Sequence, residues 1–352
     1  MKRLMYILSA AIIVLAACNN QTKTGEEAKV INPSDKELLE RAQAIFQTLP
    51  ATAENPNNPI TPQKVELGKV LYHDTRLSKT GNNSCNSCHN LSTFGVDNLP
   101  TSEGDEKKFG DRNSPTVLNA ALHSFQFWDG RAKDVEEQAG MPITNPIEMA
   151  IPDKPFLVNK LKGIKEYQEM FKAAFPNDKD PLTYNNIQNA IAAFERTLIT
   201  PSAFDTYLKG DVHALNTDER EGLQQFIDVG CIQCHTGSNL GGTMFQKFGV
   251  YADYRTFYKT KVDDTGKKMV TGQESDKDMF KVPGLRNVVK TYPYFHDGGV
   301  ADLKEAIRIM GKAQLNKDLS DAQINSLVTF LNTLTADIPE SAKKVPEILA
   351  QQ

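Results

Sequence analysis

Apolar residues recur at three- and four-residue intervals along most of the chain. Leu38, Leu39, Ala42, Ile45 and Phe46 share one face of a predicted helix, which Ser34-x-x-Glu37 would open as a capping box. Residues 183–199 repeat the spacing with Ile187, Ile191, Phe194 and Leu198. Residues 217–229 gather Leu223, Phe226 and Ile227 ahead of a stop at Gly230. Ser320-x-x-Gln323 opens a last predicted helix carrying Ile324, Leu327, Val328, Leu331 and Leu334. No period-two runs stand out at hairpin spacing. The pattern predicts an all-α chain whose helices are joined by long connections rich in Pro, Gly and Asn.

One stretch breaks the amphipathic rule. Leu4 to Ala17 is an apolar run broken only by Ser9, and it follows Lys2 and Arg3. Such a run is too short to span a bilayer as a mature helix, but it suits the core of a signal peptide. Leu15-Ala16-Ala17-Cys18 resembles a bacterial lipobox, which predicts cleavage after residue 17 and a lipid on Cys18. Ordinary secretory cleavage near Ala17, leaving Cys18 free, is the alternative. Residues 18–33 are polar and read as a tether. The expected location is therefore periplasmic, with a lipid anchor to the envelope. The 352 residues carry 40 basic and 44 acidic side chains, and loss of Lys2 and Arg3 takes the net charge from −4 to −6. That balance excludes a generally basic nucleic-acid binder.

An internal repeat divides the rest. Pro115–Gly130 (PTVLNAALHSFQFWDG) aligns with Pro283–Gly298 (PGLRNVVKTYPYFHDG), matching Asn119 to Asn287, Phe127 to Phe295 and Asp129-Gly130 to Asp297-Gly298. Each copy follows a cysteine pair. Two related domains are expected, residues 34–200 and 201–352, with the boundary near Thr200-Pro201 and a last helix able to pack back on the first domain.

The cysteine pairs carry the chemistry. Cys85-Asn86-Ser87-Cys88-His89 and Cys231-Ile232-Gln233-Cys234-His235 both follow the C-x-x-C-H signature of c-type haem attachment. Thiols three residues apart reach the two vinyl groups of one haem, and the adjacent histidine falls under the iron. A structural zinc site would need four cysteines or added histidines, and a redox C-x-x-C would need a βαβ context. The sixth ligand decides what each iron does: a thioether suits electron transfer, and an open position suits chemistry on a small molecule. Met310 follows Leu303 and Ile307 at helical spacing, a pattern that by itself also fits a core residue. Periodicity selects none of His73, His123, His213 and His296 as a ligand.

With these motifs in place, the chain from about residue 35 to 335 resembles the bacterial di-haem cytochrome c peroxidases, a family that includes the MauG-type enzymes. The most specific blocks are residues 85–102, QFWDGRA (126–132), PIEM (146–149), GCIQCHTG (230–237) and residues 280–299. The resemblance implies two cytochrome-c-like helical domains, each with one covalently attached haem c. It implies His89 as proximal ligand of a peroxidatic haem, and His235 with Met310 as the axial pair of an electron-transfer haem. Trp128 would relay electrons between them. Glu148 and Gln138 would line the peroxide pocket, and Asn113, Thr291 and Pro293 would hold a calcium ion. The implied reaction is reduction of hydrogen peroxide to water, with electrons from a small cytochrome c or a cupredoxin. A homodimer is common in the family.

Asp105 departs from the pattern, since many members place a distal histidine there that blocks the resting peroxidatic iron. Its absence predicts an iron open to peroxide in the resting ferric state; the other option is His123 swinging in as a substitute ligand. Two other functions fit the same motifs less well. MauG-like oxidation of protein side chains is opposed by Met310 standing where that branch has tyrosine. A non-catalytic di-haem electron carrier or redox sensor would leave Glu148 and Gln138 without a task.

Overall fold

The computed structural model describes residues 32–350. The predicted signal peptide, Cys18 and most of the tether lie outside them. No described helix is long and apolar enough to cross a membrane. The fold is mostly helical, as the spacing predicts.

The first helix, α1 (Pro33–Ile45), starts before Ser34. Asn32 caps it, accepting from the Ser34 N–H at 3.2 Å, with Pro33 at the first helical position. The preset φ of Pro33 fixes the start there, so the predicted capping box at Ser34 does not form. Seven longer or functional helices follow: α2 (Pro62–His73), α3 (Cys85–Cys88), α4 (Val135–Thr144), α5 (Lys154–Lys162), α6 (Lys165–Ala174), α7 (Tyr184–Glu195) and α8 (Ala203–Leu208). The second half holds α9 (Thr217–Val229), α10 (Lys268–Thr271), α11 (Leu303–Leu315) and α12 (Asp321–Asn332). Gly230 ends α9 in the left-handed region at φ 98°, and Ser320 with Gln323 forms the predicted box at α12. A short antiparallel ladder, β1 (Phe245–Lys247) on β2 (Met279–Lys281), is the one named sheet among the described residues. Its strands are far apart in sequence, so hairpin spacing could not reveal it.

Two large apolar clusters organise the helices. The first joins α2, α4 and α7 through Leu67, Leu71, Ile143, Ile187, Ile191 and Phe194, and Ile338 from the C-terminal segment packs into it. Gly68 permits the α2–α7 approach, because a Cβ there would lie 1.9 Å from the Ala190 carbonyl oxygen. The second joins α8, α9 and α12 through Phe204, Leu223, Phe226, Leu327 and Phe330. Leu38, Leu39 and Ala42 of α1, with Phe46 just after it, belong to this second cluster, although α1 precedes the first in sequence.

The repeat is visible in the backbone. Asn119 and Asn287 both adopt the left-handed region (φ 60° and 63°), as do Phe127 and Phe295 (66° and 72°) and Gly130 and Gly298 (69° and 61°). Short bridges Gln126–Ala132 and Tyr294–Val300 close the two loops alike. The copies meet at Thr200, whose hydroxyl accepts from Asn119 Nδ2 at 2.7 Å and from Asn287 Nδ2 at 3.0 Å. Asn119 N–H donates to the Leu198 carbonyl and Asn287 N–H to the Leu334 carbonyl, so each repeat is pinned to the residues following a long helix.

Candidate haem sites and the peroxide pocket

Cys85 and Cys88 open and close the single turn of α3, where Ser84 and Ser87 cap each other's backbone. His89 follows at once. Its Nδ1 lies 2.9 Å from the Pro115 carbonyl oxygen, the first residue of the first repeat. A carbonyl only accepts, so Nδ1 carries the proton and Nε2 is left free for a metal. His235 repeats the arrangement: Nδ1 is 2.9 Å from the Leu240 carbonyl oxygen, and the Pro283 carbonyl also bears on the ring. Burial lowers both imidazoles, with these carbonyls opposing it, which favours the neutral ligand form.

The four cysteines in the two pairs are unbridged. Burial pushes Cys88 up to about 11 and Cys231 up to about 12, and raises Cys85 further. Such thiols are poor thiolates and inert as redox nucleophiles. Among the described residues no group of three or more His, Cys, Asp or Glu could hold a metal ion. The zinc and thioredoxin readings therefore lose their remaining support, while thioether attachment needs neither property.

Each motif opens on a cavity. One, with an empty volume of about 1330 Å³ including its mouth, is lined by Cys85, Cys88, His89, Gln138 and Glu148. The other, about 1290 Å³, is lined by Cys231, Cys234, His235 and Met310. Phe127 lines the first and Phe295 the second, so the repeat builds a matching wall for each motif. A free histidine Nε2, two adjacent cysteines and a large cavity recur together, and the residues fit a c-type haem in each place.

The first cavity has a polar side. Glu148 Oε1 accepts from Asn145 Nδ2 at 2.8 Å. Burial raises its carboxyl above the ordinary glutamate range, against opposing effects of Arg131 and Asn145. Arg131 itself lies over the Phe127 ring at 3.5 Å and pairs with Asp129. Gln138 on α4 reaches the same cavity with no hydrogen bond to its side-chain amide among the described residues.

Asp105 does not line this cavity. It is 2% exposed and points to another loop. Oδ1 accepts from Ser78 Oγ (2.8 Å), Thr80 Oγ1 (2.9 Å) and Asn82 N (3.1 Å), and Oδ2 accepts from Thr80 N (2.7 Å). Burial alone would raise this carboxyl, but the donors hold it below the ordinary aspartate range. His123 does line the cavity; its Nδ1 is 2.9 Å from Lys281 Nζ, and its Nε2 has no partner among the described residues.

Trp128 lines both large cavities and a smaller one between them. Its Nε1–H donates to the Asn113 carbonyl at 2.9 Å. Asn113, Thr291 and Pro293 all line the smaller cavity, so the three calcium candidates do converge. Arg112 braces the region, donating to Asp264 Oδ2 through Nε (2.6 Å) and Oδ1 through Nη2 (2.9 Å), and pairing with Asp129. Arg131, Asn145 and Lys281 were not singled out from sequence. Arg131 and Lys281 lie inside the specific blocks QFWDGRA and FKVPGLRNV, but no spacing rule marks them.

Residues 62–213 match the family model for di-haem cytochrome c peroxidase. Cytochrome c551 peroxidase of Nitrosomonas europaea is 47% identical over 305 residues, covering 84% of this chain and 89% of the relative. Cytochrome c551 peroxidase of Pseudomonas aeruginosa is 45% identical, covering 86% and 87%. Among solved structures, a MauG-like protein associated with microbial copper homeostasis superposes with a TM-score of 0.75 at 28% identity, covering 85% of this chain and 97% of that one. From the length and level of these matches, this chain belongs to the di-haem cytochrome c peroxidase family.

Proposed function

We propose that the protein reduces hydrogen peroxide to water in the His89 cavity, with electrons that enter through the His235 cavity. The observation that carries this reading is the asymmetry of the two cavities. The first presents Glu148 and Gln138; the second presents Met310, a thioether, on the same cavity as His235. When bound, haem iron supplies the electron transfer and the activation of the peroxide oxygens. Cys85, Cys88 and His89 would hold one haem c, and Cys231, Cys234, His235 and Met310 the other. The family is di-haem, which supports one group for each motif.

The chain's own part is binding and proton movement. Glu148 takes a proton from one peroxide oxygen and delivers it to the other. A carboxyl raised by burial exchanges protons more readily near neutral pH than an ordinary one. Asn145 fixes its orientation through the 2.8 Å hydrogen bond. Gln138 has a free amide to hold the peroxide. Trp128, shared by both cavities, is the relay between them.

The finer assignments extend this reading. The division into residues 34–200 and 201–352 gives each unit one haem motif. A calcium ion held by Asn113, Thr291 and Pro293 would stiffen the boundary. A small cytochrome c is the donor, with a cupredoxin as a second candidate, and two copies associate as a dimer. Cleavage after Ala17 and a lipid on Cys18 would place the protein on the periplasmic side of the envelope. Met310 on the His235 cavity favours the peroxidase over side-chain oxidation of the MauG type. The test is to add peroxide to the protein together with a reduced small cytochrome c and follow donor oxidation. Turnover is expected in the wild type, with a loss of roughly 10²–10⁴-fold in Glu148→Gln. No turnover in either protein would reject the assignment.

A further inference from the structure

Lys281 is a buried cation without an anion. It ends β2, is 4% exposed, and donates its backbone N–H to the Trp128 carbonyl at 2.8 Å. With Trp128 it lines both large cavities and the smaller one between them. Its ammonium meets His123 Nδ1 at 2.9 Å, and no salt bridge to Lys281 occurs among the described residues. Asp129 bears on it from a distance but is taken by Arg112 and Arg131. Lys281 donates to Nδ1, so the His123 proton sits on Nε2, which is buried and has no partner. Gly242 (φ 85°) fixes the ring: a Cβ there would lie 2.1 Å from His123 Cδ2.

The pair therefore leaves an imidazole N–H with no acceptor, beside an ammonium whose partner, His123 Nδ1, carries no charge. A buried cation without an anion and an orphaned buried donor are both costly unless an oxygen anion meets them. Burial lowers the ammonium to about 7 against the opposing pull of Asp129, and a carboxylate in contact would restore its charge. A c-type haem is held by its vinyl side chains and also carries two propionate carboxylates, and Lys281 is within reach of both haem cavities.

We propose that Lys281 and His123 form a carboxylate-binding site at the boundary of the two cavities, and that its ligand is a haem propionate. This rests on the di-haem reading. A cation beside the propionate edge offsets the charge of that edge and favours the ferrous state. Lys281 is thus a positioning residue that also sets a redox potential.

The experiment compares wild-type, Lys281→Met, Lys281→Gln, Lys281→Arg and His123→Gln holoprotein at one pH and ionic strength. Intact mass gives the haem count, and spectroelectrochemistry gives both midpoint potentials. Lys281→Met and Lys281→Gln are expected to lower the reduction equilibrium of at least one haem by about tenfold, or ~59 mV for a one-electron couple. Lys281→Arg is expected within twofold of wild type, and His123→Gln to lower the same potential by a smaller factor. Two haems with both potentials within twofold of wild type in every variant that folds would overturn the proposal. Potentials of the wild type that move with added acetate would also overturn it, by identifying a free carboxylate as the ligand. Fewer than two haems in the wild type would instead refute the di-haem reading.

Discussion

Replacing Asp105 by Asn tests how the peroxide pocket is built. One oxygen of Asp105 accepts three hydrogen bonds and the other accepts the Thr80 N–H at 2.7 Å. Asparagine can keep the three, but its NH₂ then faces the Thr80 N–H donor to donor. The loss is one hydrogen bond to a charged group, about 1.5–3 kcal/mol, plus a buried unpaired N–H at about 1–3 kcal/mol. With partial relaxation the expected destabilisation is about 2–5 kcal/mol, read as a lower urea midpoint of the holoprotein at pH 7. The sign with pH follows from the carboxyl being held below its ordinary value. Its contribution is complete above the unfolded aspartate value, about 3.9, and is lost as pH falls through the folded one. Asp105→Asn should therefore lose that acid-side dependence along with the stability. Catalysis should fall too, because the Asp105 N–H holds the Glu148 carbonyl at 2.7 Å. An Asp105→Asn protein within about 0.5 kcal/mol of wild type at pH 7, the range of ordinary surface changes, would refute the reasoning.

Three other outcomes follow from the same geometry. The resting ferric protein should show a high-spin His89 haem by EPR and bind peroxide without prior reduction, since Asp105 lies off the cavity and His123 is held through Nδ1 by Lys281; a spectrum low-spin at both haems would contradict this. For peroxide, kcat/KM should rise with pH through a carboxyl value above the ordinary glutamate range, and that limb should be missing in Glu148→Gln. Trp128→Phe should slow electron transfer between the haems in stopped-flow measurements while leaving both midpoint potentials near wild type.

Motifs that need adjacent residues were legible in the sequence. The two C-x-x-C-H segments, the capping box at Ser320 and the αL stop at Gly230 all depend on short spacings, and the structure forms the box and the stop where the spacing predicts. The repeat was legible because the same left-handed turns demand the same Asn and Gly in both copies. Other features depend on distant partners. The α1 start moved because Pro33 outweighs a box pattern, and α1 joined the second core because apolar periodicity does not say which core a helix meets. Asp105 read as a residue in a charged loop; its burial depends on Ser78, Thr80 and Asn82, more than twenty positions away, and no local pattern encodes them. Lys281 was silent for the same reason, since its neighbours Trp128 and His123 come from the first repeat, far away in sequence.

The central claim is a two-electron peroxide reduction served by one haem on each cavity. Peroxide needs two electrons and two protons to become two waters, and two ferrous haems supply the electrons. The direct measurement is an anaerobic titration of the fully reduced protein with hydrogen peroxide, followed by the visible haem bands. One equivalent of peroxide per protein should return both haems to the ferric state. Retention of the ferrous bands after one equivalent, or oxidation of only one haem, would contradict the account.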